Sequence, residues 1–418
     1  MSAIRKFCDA YYAMDIIFFP PYGRARTEAD IVANQKLSFE TPGSQPRSGA
    51  DPRPVSGGGR QVLGLLLKTG GLSQADITRR LDLSQPTVAR LIQGFQRDRM
   101  VRLASRQVDR PGNPSVHVSL DPDFAYVLGV AMLGDMLSMT LLDFSGRERG
   151  YRVSAMPDMS RGPVLETLAR FRASLIAETG VAPERVRALG VGISGFFVGD
   201  GRQINPPAYL NDWALVEIEP ILEAALGLPV TLDNDATAAA IGESVFGVGR
   251  QSDNFAYLHL TNGFGGGVIA NGRALRGHNG NAGEFGGVWT LNGGGYPNLD
   301  LLRACVGDAG LPFDTVEEMV RAIDLASPGV EAWLAQALGP FQQLAGLLSY
   351  IIDPEFVVIG GRLPESIAAE LARRIAVPAA TNRLGRPPPA PRVTVSQVRG
   401  DPVALGAAAM PLQAAYFL

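Results

Sequence analysis

Cysteine, lysine and long apolar runs are all scarce in this chain, and each scarcity excludes something. Cys8 and Cys305 are the two cysteines among 418 residues. They cannot build a disulfide framework or a thiolate zinc cluster, which fits a reducing cytosol. Lys6, Lys36 and Lys68 are the three lysines, so arginine carries nearly all the positive charge. That bias fits a GC-rich genome and implies no chemistry. No apolar stretch approaches the ~20 residues of a membrane span, which argues against an integral membrane protein. Charged residues at 19% and hydrophobic residues at 46% sit near the globular average, so wholesale disorder, collagen and coiled coil are excluded. What is abundant is glycine, with 49 residues, and proline, with 30, as expected of many tight turns. The length exceeds the roughly 250–300 residues at which one core stops growing, so at least two folding units are expected.

Charge becomes informative once it is divided along the chain. The net charge is −3, but residues Gly57 to Val118 hold ten Lys/Arg against four Asp/Glu, a balance of +6. The remainder holds 28 basic and 37 acidic residues, a balance of −9. A compact basic segment on an acidic body suggests one module facing phosphate and another facing something else. Ahead of it, residues 1–56 read as a flexible segment, with a Pro/Gly/Ser-rich linker from Thr41 to Gly59. Arg5 and Lys6 precede an apolar patch, Tyr11 to Phe19. Asp15 breaks that patch, Pro20 and Pro21 close it, and no clean small-residue cleavage site follows. A cytoplasmic location is therefore expected rather than export.

From Arg60 the pattern turns helical. Val62, Leu65 and Leu66 mark a first helix. Ser73 can cap a second, with Ile77 and Leu81 on one face. Ser84 can cap a third, where Val88, Leu91, Ile92 and Phe95 form an apolar stripe. The opposite face of its start shows Gln85, Pro86, Thr87 and Arg90. Val101–Leu103 and Val116–Val118 then alternate like strands, joined through Arg106 and Arg110. Three helices and a basic hairpin make a winged helix-turn-helix, expected over residues 57–120. A capped helix of this kind can enter the major groove, where Gln and Arg pair with base edges. Gln85, Thr87 and Arg90 are the candidate base contacts; Arg79, Arg80, Arg106 and Arg110 are the candidate phosphate contacts.

Beyond about Ala125 strands and helices alternate. Strands are expected at Tyr126–Ala131, Met136–Asp143, Arg187–Ile193, Pro229–Leu232, Phe255–Leu260 and Phe356–Ile359. Helices are expected at Leu168–Glu178, Leu215–Ala225, Ala236–Phe246 and Phe341–Ile352. This order implies a two-lobed α/β body with a cleft between lobes. Residues 121–235 are the expected first lobe and 236–418 the second, with the C-terminal helix free to return to the first.

Three segments of the body carry further information. Asp233-Asn234-Asp235-Ala236-Thr237-Ala238 lies at a strand-to-helix junction. Leu260-Thr261-Asn262-Gly263-Phe264-Gly265-Gly266-Gly267 is a glycine loop. Gly277-His278-Asn279-Gly280-Asn281-Ala282-Gly283-Glu284-Phe285-Gly286 follows. Their order and spacing, behind a winged helix, resemble the ROK family of repressors and sugar kinases over roughly residues 60–415. The resemblance implies an actin-like, RNase H-like ATPase-type fold with a sugar in the interlobe cleft. Carboxylates and amides at strand ends also suit polyols in their own right, since each hydroxyl both donates and accepts. Asn234, Asp235 and Glu284 are the candidate sugar contacts, although Asp235 would also serve as a plain helix cap.

Departures from the family pattern separate regulator from kinase. The family's sugar kinases open the first lobe with Asp-x-Gly-Gly-Thr, but here Ala131 stands at the aspartate and Leu133 replaces a glycine. Without that carboxylate, electrostatic stabilisation of phosphoryl transfer should largely fail. The family's zinc segment is also altered: Gly287 replaces the histidine, and Leu291, Gly293 and Asn298 replace three cysteines. Asp300 keeps a carboxylate at the final acidic position and joins the candidate sugar contacts. The chain is thus expected to be a DNA-binding regulator, a repressor of sugar-metabolism genes, with no catalytic residues, no cofactor and no metal. Its expected partners are operator DNA, a sugar or sugar-derivative effector, and a second copy or three further copies in a homodimer or homotetramer. The alternative is an ATP-dependent sugar kinase with an appended DNA-binding module.

Overall fold

The computed structural model describes residues 55–106, 115–291, 296–379 and 384–417. The N-terminal segment 1–54 and Arg110 lie outside the described residues. Among the described residues no helix is long and apolar enough to cross a membrane.

The head begins with α1 (Gly57–Thr69), β1 (Leu72–Ser73), α2 (Gln74–Arg80) and α3 (Gln85–Arg97). Each helix starts on a serine whose hydroxyl accepts a backbone N–H: Ser56 from Gly59, Ser73 from Asp76 and Ser84 from Thr87. Such caps occupy donors that the first helical turn leaves free. Val88, Ile92 and Phe95 turn inward from α3, leaving Gln85 and Arg90 on its exposed side. Strands β2 (Val101–Arg106) and β3 (Ser115–Leu120) pair antiparallel, and β1 joins them in the order β1-β3-β2. This is a winged helix-turn-helix.

The body repeats one plan twice. Its first sheet holds β4 (Tyr126–Leu133), β5 (Met136–Asp143), β6 (Glu148–Ala155), β7 (Val186–Ile193) and β10 (Val230–Asn234), ordered β10-β7-β4-β5-β6. Helices α4 (Arg161–Thr179) and α5 (Ile218–Leu226) lie in its crossovers, beside a small ribbon of β8 (Phe196–Val198) and β9 (Gln203–Asn205). After α6 (Asp235–Phe246) comes the second sheet: β11 (Phe255–Leu260), β12 (Phe264–Ala270), β13 (Arg273–Ala274), β14 (Phe356–Gly361) and β15 (Arg392–Val395), ordered β13-β12-β11-β14-β15. In each sheet an antiparallel meander continues into two parallel strands. That duplicated plan is the actin-like fold. Helices α7 (Gly286–Leu291), α8 (Leu299–Asp308), α9 (Val316–Ala322), α10 (Val330–Ile351) and α11 (Glu365–Arg374) belong to the second half.

Two helices fill the space between the sheets. Helix α6 packs against β11 and β12, whereas α12 (Pro402–Ala415) packs against β4, β5 and β7. They meet backbone to backbone, because a Cβ on Gly406 would lie 1.8 Å from the Ala238 carbonyl oxygen and 2.6 Å from the Gly242 nitrogen. Only a residue without a side chain permits that approach. At its far end α12 enters the head. Val62, Leu66, Ile92 and Phe95 share one buried cluster with Leu142, Phe144, Leu412 and Phe417. The Arg60 guanidinium donates to the carbonyls of Gln413 (2.6 Å), Ala414 (3.0 Å) and Phe417 (2.9 and 3.1 Å). Head and body are therefore joined through a common core.

The packing generates a contrast between two helical glycines. Gly406→Val must push α6 and α12 apart, and overpacking of this kind costs about 1–3 kcal/mol or more. Gly339 in α10 has open space where its Cβ would be, so Gly339→Ala should stabilise by about 0.4–1 kcal/mol. Thermal or denaturant unfolding of both variants measures the difference, and equal effects would contradict the packing described.

Candidate functional site

The site is built where β10 runs into α6. Asn234 is the cap of α6: its Oδ1 accepts from the N–H groups of Ala236 (2.8 Å) and Thr237 (3.2 Å). Its amide donates to the Gly195 carbonyl at 2.7 Å, tying β10 to the turn after β7. Asp235 is 6% exposed, and its Oδ2 accepts from the Ser194 hydroxyl at 2.5 Å. The Ser194 hydroxyl and the Ala236 N–H at the helix N-terminus hold the Asp235 side chain in one orientation. Beside it, Asp233 is fully buried and paired with Arg276, which follows β13 in the second lobe. Burial raises the Asp233 pKa, and the arginine opposes that rise. A second bridge runs alongside: the Phe197 N–H donates to Asn281 Oδ1 (2.7 Å), and Asn281 Nδ2 donates to the Phe197 carbonyl (2.8 Å). These contacts join the lobes along one wall of the cleft.

Glu284 faces Asp235 from the second lobe. Its side chain reaches solvent at the open cleft, yet protein crowds it enough that desolvation, then the Asp235 charge, raises its carboxyl to about 7. Tyr209 lies near Asp235, its hydroxyl turned toward Ser194 and the Gly134 backbone. Desolvation is the main reason its pKa is pushed up to about 12. Tyr209 also borders a cavity of about 370 Å³ lined by Asp135, Asn262 and Asp300. Asp300 is half-buried; desolvation raises its pKa, and Arg303, 3.8 Å away, counteracts. The structure thus brings Asn234, Asp235 and Glu284 together and places Asp300 across Tyr209. Asn234 is already engaged on both its oxygen and its nitrogen.

The floor of the cleft is where the two hairpin turns approach. Arg362, just past β14, pairs with Glu317 of α9 and reaches Asp135 Oδ1 and Asn262 Oδ1 at 3.4 Å each. Ala131 is buried among Leu133, Ala238 and Val403, an apolar surface that offers nothing to a metal or phosphate. Among the described residues no group of three or more His, Cys, Asp or Glu could hold a metal ion.

Ser194, Tyr209 and Arg362 had no individual signal in the sequence. Ser194 sits between the glycines of the β7 turn, and Tyr209 lies in the stretch that runs from Pro206 and Pro207 to Asp212 and Trp213. Those two do other work. Trp213 is buried and donates to the Met159 carbonyl at 2.8 Å, while Asp212 accepts from the backbone and guanidinium of Arg161 at the start of α4.

On the head, Gln85, Arg80 and Arg90 are exposed. Thr87 shares a 2.9 Å hydrogen bond with Ser84, and Arg79 pairs with Asp76 at 2.6 Å. Arg106 ends β2. The neighbouring Arg102 is held by Asp121 (2.7 Å) and Asp123 (2.8 Å) at the wing's base.

Comparison with known proteins agrees with this division. Residues 127–294 match the ROK family and residues 60–110 match the MarR family. The xylose repressor of Caldicellulosiruptor bescii is 26% identical over 72% of this chain and 82% of its own length. The ROK hexokinase of Thermus thermophilus is 31% identical, with a TM-score of 0.50 over 68% of this chain and 96% of that one. A ROK family transcriptional regulator, a homologue of the E. coli MLC protein, is 20% identical with a TM-score of 0.57, covering 86% of this chain and 96% of that one. At that identity the last likeness speaks for the fold alone.

The Glu284 environment has a pH signature. Its folded pKa of about 7 lies above the ordinary 4.5, so the native state holds this proton more tightly than the unfolded chain does. The group's contribution to stability is fully present below about pH 4.5 and is lost as pH rises to about 7. Glu284→Gln should therefore raise the melting temperature above wild type at pH 8, and the gap should close toward pH 5. Thermal unfolding across pH 5–8 checks this; curves that stay parallel would contradict the environment described.

Proposed function

The chain belongs to the ROK family, and from that premise we propose that it is a DNA-binding transcriptional repressor of sugar-metabolism genes, its two-lobed body sensing a sugar or sugar derivative. The observation that carries this reading is the shared core: a winged helix is packed onto the same helix, α12, that lies against α6 and the Asp235 site. A kinase has no need of such a head.

The body is a sensor rather than a phosphotransferase. Buried Ala131 stands where the family's kinases carry an aspartate, and Arg362 already occupies the space between the two hairpin turns. Transition-state charge in phosphoryl transfer needs a metal-holding carboxylate and open phosphate loops, and neither is provided. Asp235, Glu284, Asp300 and Asn234 contact the sugar hydroxyls. Asp235 is preorganised by Ser194, and Glu284 exchanges its proton near neutrality. The similarity to a protein named xylose repressor supports a monosaccharide effector.

In the head, Gln85, Thr87 and Arg90 read bases, while Arg79, Arg80, Arg106 and Arg110 meet phosphates. Two-fold pairing of heads gives a palindromic operator its match, so the working unit is a homodimer or homotetramer. Sugar binding shifts the lobes toward a form whose heads no longer fit that spacing, which releases the DNA. The protein works in the cytoplasm.

Two measurements test the reading. With ATP and a panel of pentoses and hexoses, a coupled assay should find no turnover. One sugar should raise thermal stability by ~2.7 kcal/mol at about 100 times its dissociation constant, and Asp235→Asn should abolish that shift. Sugar-dependent turnover that Asp235→Asn removes would establish the kinase instead. For the head, duplexes selected from a random-sequence library by the full chain should be palindromic. Arg90→Ala should weaken binding to them by about 1–3 kcal/mol and relax one position, whereas Arg80→Ala should lower the salt slope by about 1.

A further inference from the structure

The two lobes hold the head at different places. On the first-lobe side, Arg60 reaches the C-terminal end of α12, and at the base of the wing Arg102 pairs with Asp121 and Asp123. Asp123 is anchored in turn: its carboxylate accepts from the Tyr126 hydroxyl of β4, and its carbonyl accepts from Arg185, just before β7. The second lobe meets the head at the last turn of α1. There Leu67 and Phe246, the final residue of α6, close on Gly146 of the β5–β6 turn. A Cβ on Gly146 would lie 2.9 Å from the Leu67 side chain and 3.2 Å from the Phe246 ring. The next residue, Lys68, donates to Asp253 Oδ1 at 2.7 Å. Asp253 is fixed to the second sheet, because its carbonyl accepts from Gly272 between β12 and β13 (2.8 Å). Asn254 beside it accepts from the N–H groups of Asn271 and Glu355 (2.9 Å each).

Position along α6 gives this ion pair a meaning that its strength does not. The side chains are 32% exposed at Lys68 and 59% at Asp253, and a pair so open to water adds little stability. Yet α6, with 12 residues, is about 18 Å long. Asp235 of the cleft begins it, Phe246 ends it, and the contact of Ala238 and Gly242 with Gly406 of α12 lies near its middle. A rotation of the lobes about that contact that closes the cleft at Asp235 opens the far end. At that end the last turn of α1 lies between Gly146 of the first lobe and Asp253 of the second. The Arg60 and Arg102 contacts travel with the first lobe, so the Lys68–Asp253 pair is the link that such a rotation stretches.

We infer that Lys68 is a positioning residue for DNA binding. Through Asp253 it sets the angle of the head against the second lobe, and cleft closure draws the two apart and releases the head from operator spacing. The inference rests on the regulator reading, and one of its two measurements needs no DNA.

That measurement is the distance between spin labels at Gln96→Cys of α3 and Ser366→Cys of α11, both exposed, in the full chain carrying Cys8→Ser and Cys305→Ser. Double electron–electron resonance should give one narrow distribution. Lys68→Met and Asp253→Asn should each broaden it, and the exchange Lys68→Asp with Asp253→Lys should narrow it again. The second measurement uses duplexes selected by the full chain, as whole palindromes and as single half-sites. Each single variant should weaken palindrome binding about fivefold or more, leave half-site binding within about twofold, and be rescued by the exchange. A distribution indifferent to both single variants overturns the proposal, as does an exchange that rescues neither readout. It is also overturned if Lys68→Met weakens both duplexes while Asp253→Asn strengthens them, since Lys68 would then meet phosphate directly. Failure of the wild-type chain to select any duplex removes the regulator reading, and the role in DNA binding with it, whereas the label distances still decide whether the pair holds the head.

Discussion

The contact between α6 and α12 is the packing constraint that organises this molecule, since it joins the two sheets and runs on into the head. Gly406 meets Ala238 and Gly242 at a distance that no side chain could survive, and Gly129 and Gly190 of the first sheet meet α12 just as closely. Close packing makes such a layer stiff, since interiors have little void into which to relax. The N-terminus of α6 holds Asp235, and the C-terminus of α12 receives Arg60. A shift of α6 at the cleft therefore has no soft layer in which to dissipate before it reaches the head. This gives the shared core a mechanical meaning as well as a stabilising one.

The cleft is organised by how its charges are compensated. Asp233 is answered by Arg276, Asp235 by Ser194 and a helix N-terminus, and Arg362 by Glu317. Glu284 faces Asp235, and desolvation, then that neighbouring charge, pushes its carboxyl up to about 7. A carboxyl that keeps its proton near neutrality can donate to a hydroxyl as well as accept from one. The bridges through Arg276 and Asn281 span the lobes, so any change in lobe angle must rearrange them.

Much of the architecture was legible from local pattern. The serine caps and the i, i+3, i+4 stripe of α3 announced the head, and continuous apolar runs announced β4, β5, β7 and β11. Where reading fell short, the causes are specific. Helix α10 spans Val330–Ile351, but Pro340 inside it hid its first half, because proline ordinarily breaks a helix. Strand β6 has exposed and half-buried residues but no buried one, and so lacks a buried apolar signature. The glycines of the Gly263–Gly267 loop could have meant phosphate or a tight turn. Gly266 and Gly267 are needed to admit Phe285 and Ala240.

The sequence by itself determined which segments become strands, helices and caps, and that a basic module precedes an acidic two-lobed body, because periodicity and charge balance are local properties. Only tertiary structure decided which polar groups meet. Ser194 and Asp235 are 41 residues apart, Asp233 and Arg276 are 43 apart, and Arg362 lies 227 residues from Asp135. Hydrogen bonds and ion pairs act over a few ångströms, whereas sequence pattern reports neighbours along the chain, so these partnerships appear only when the sheets are assembled.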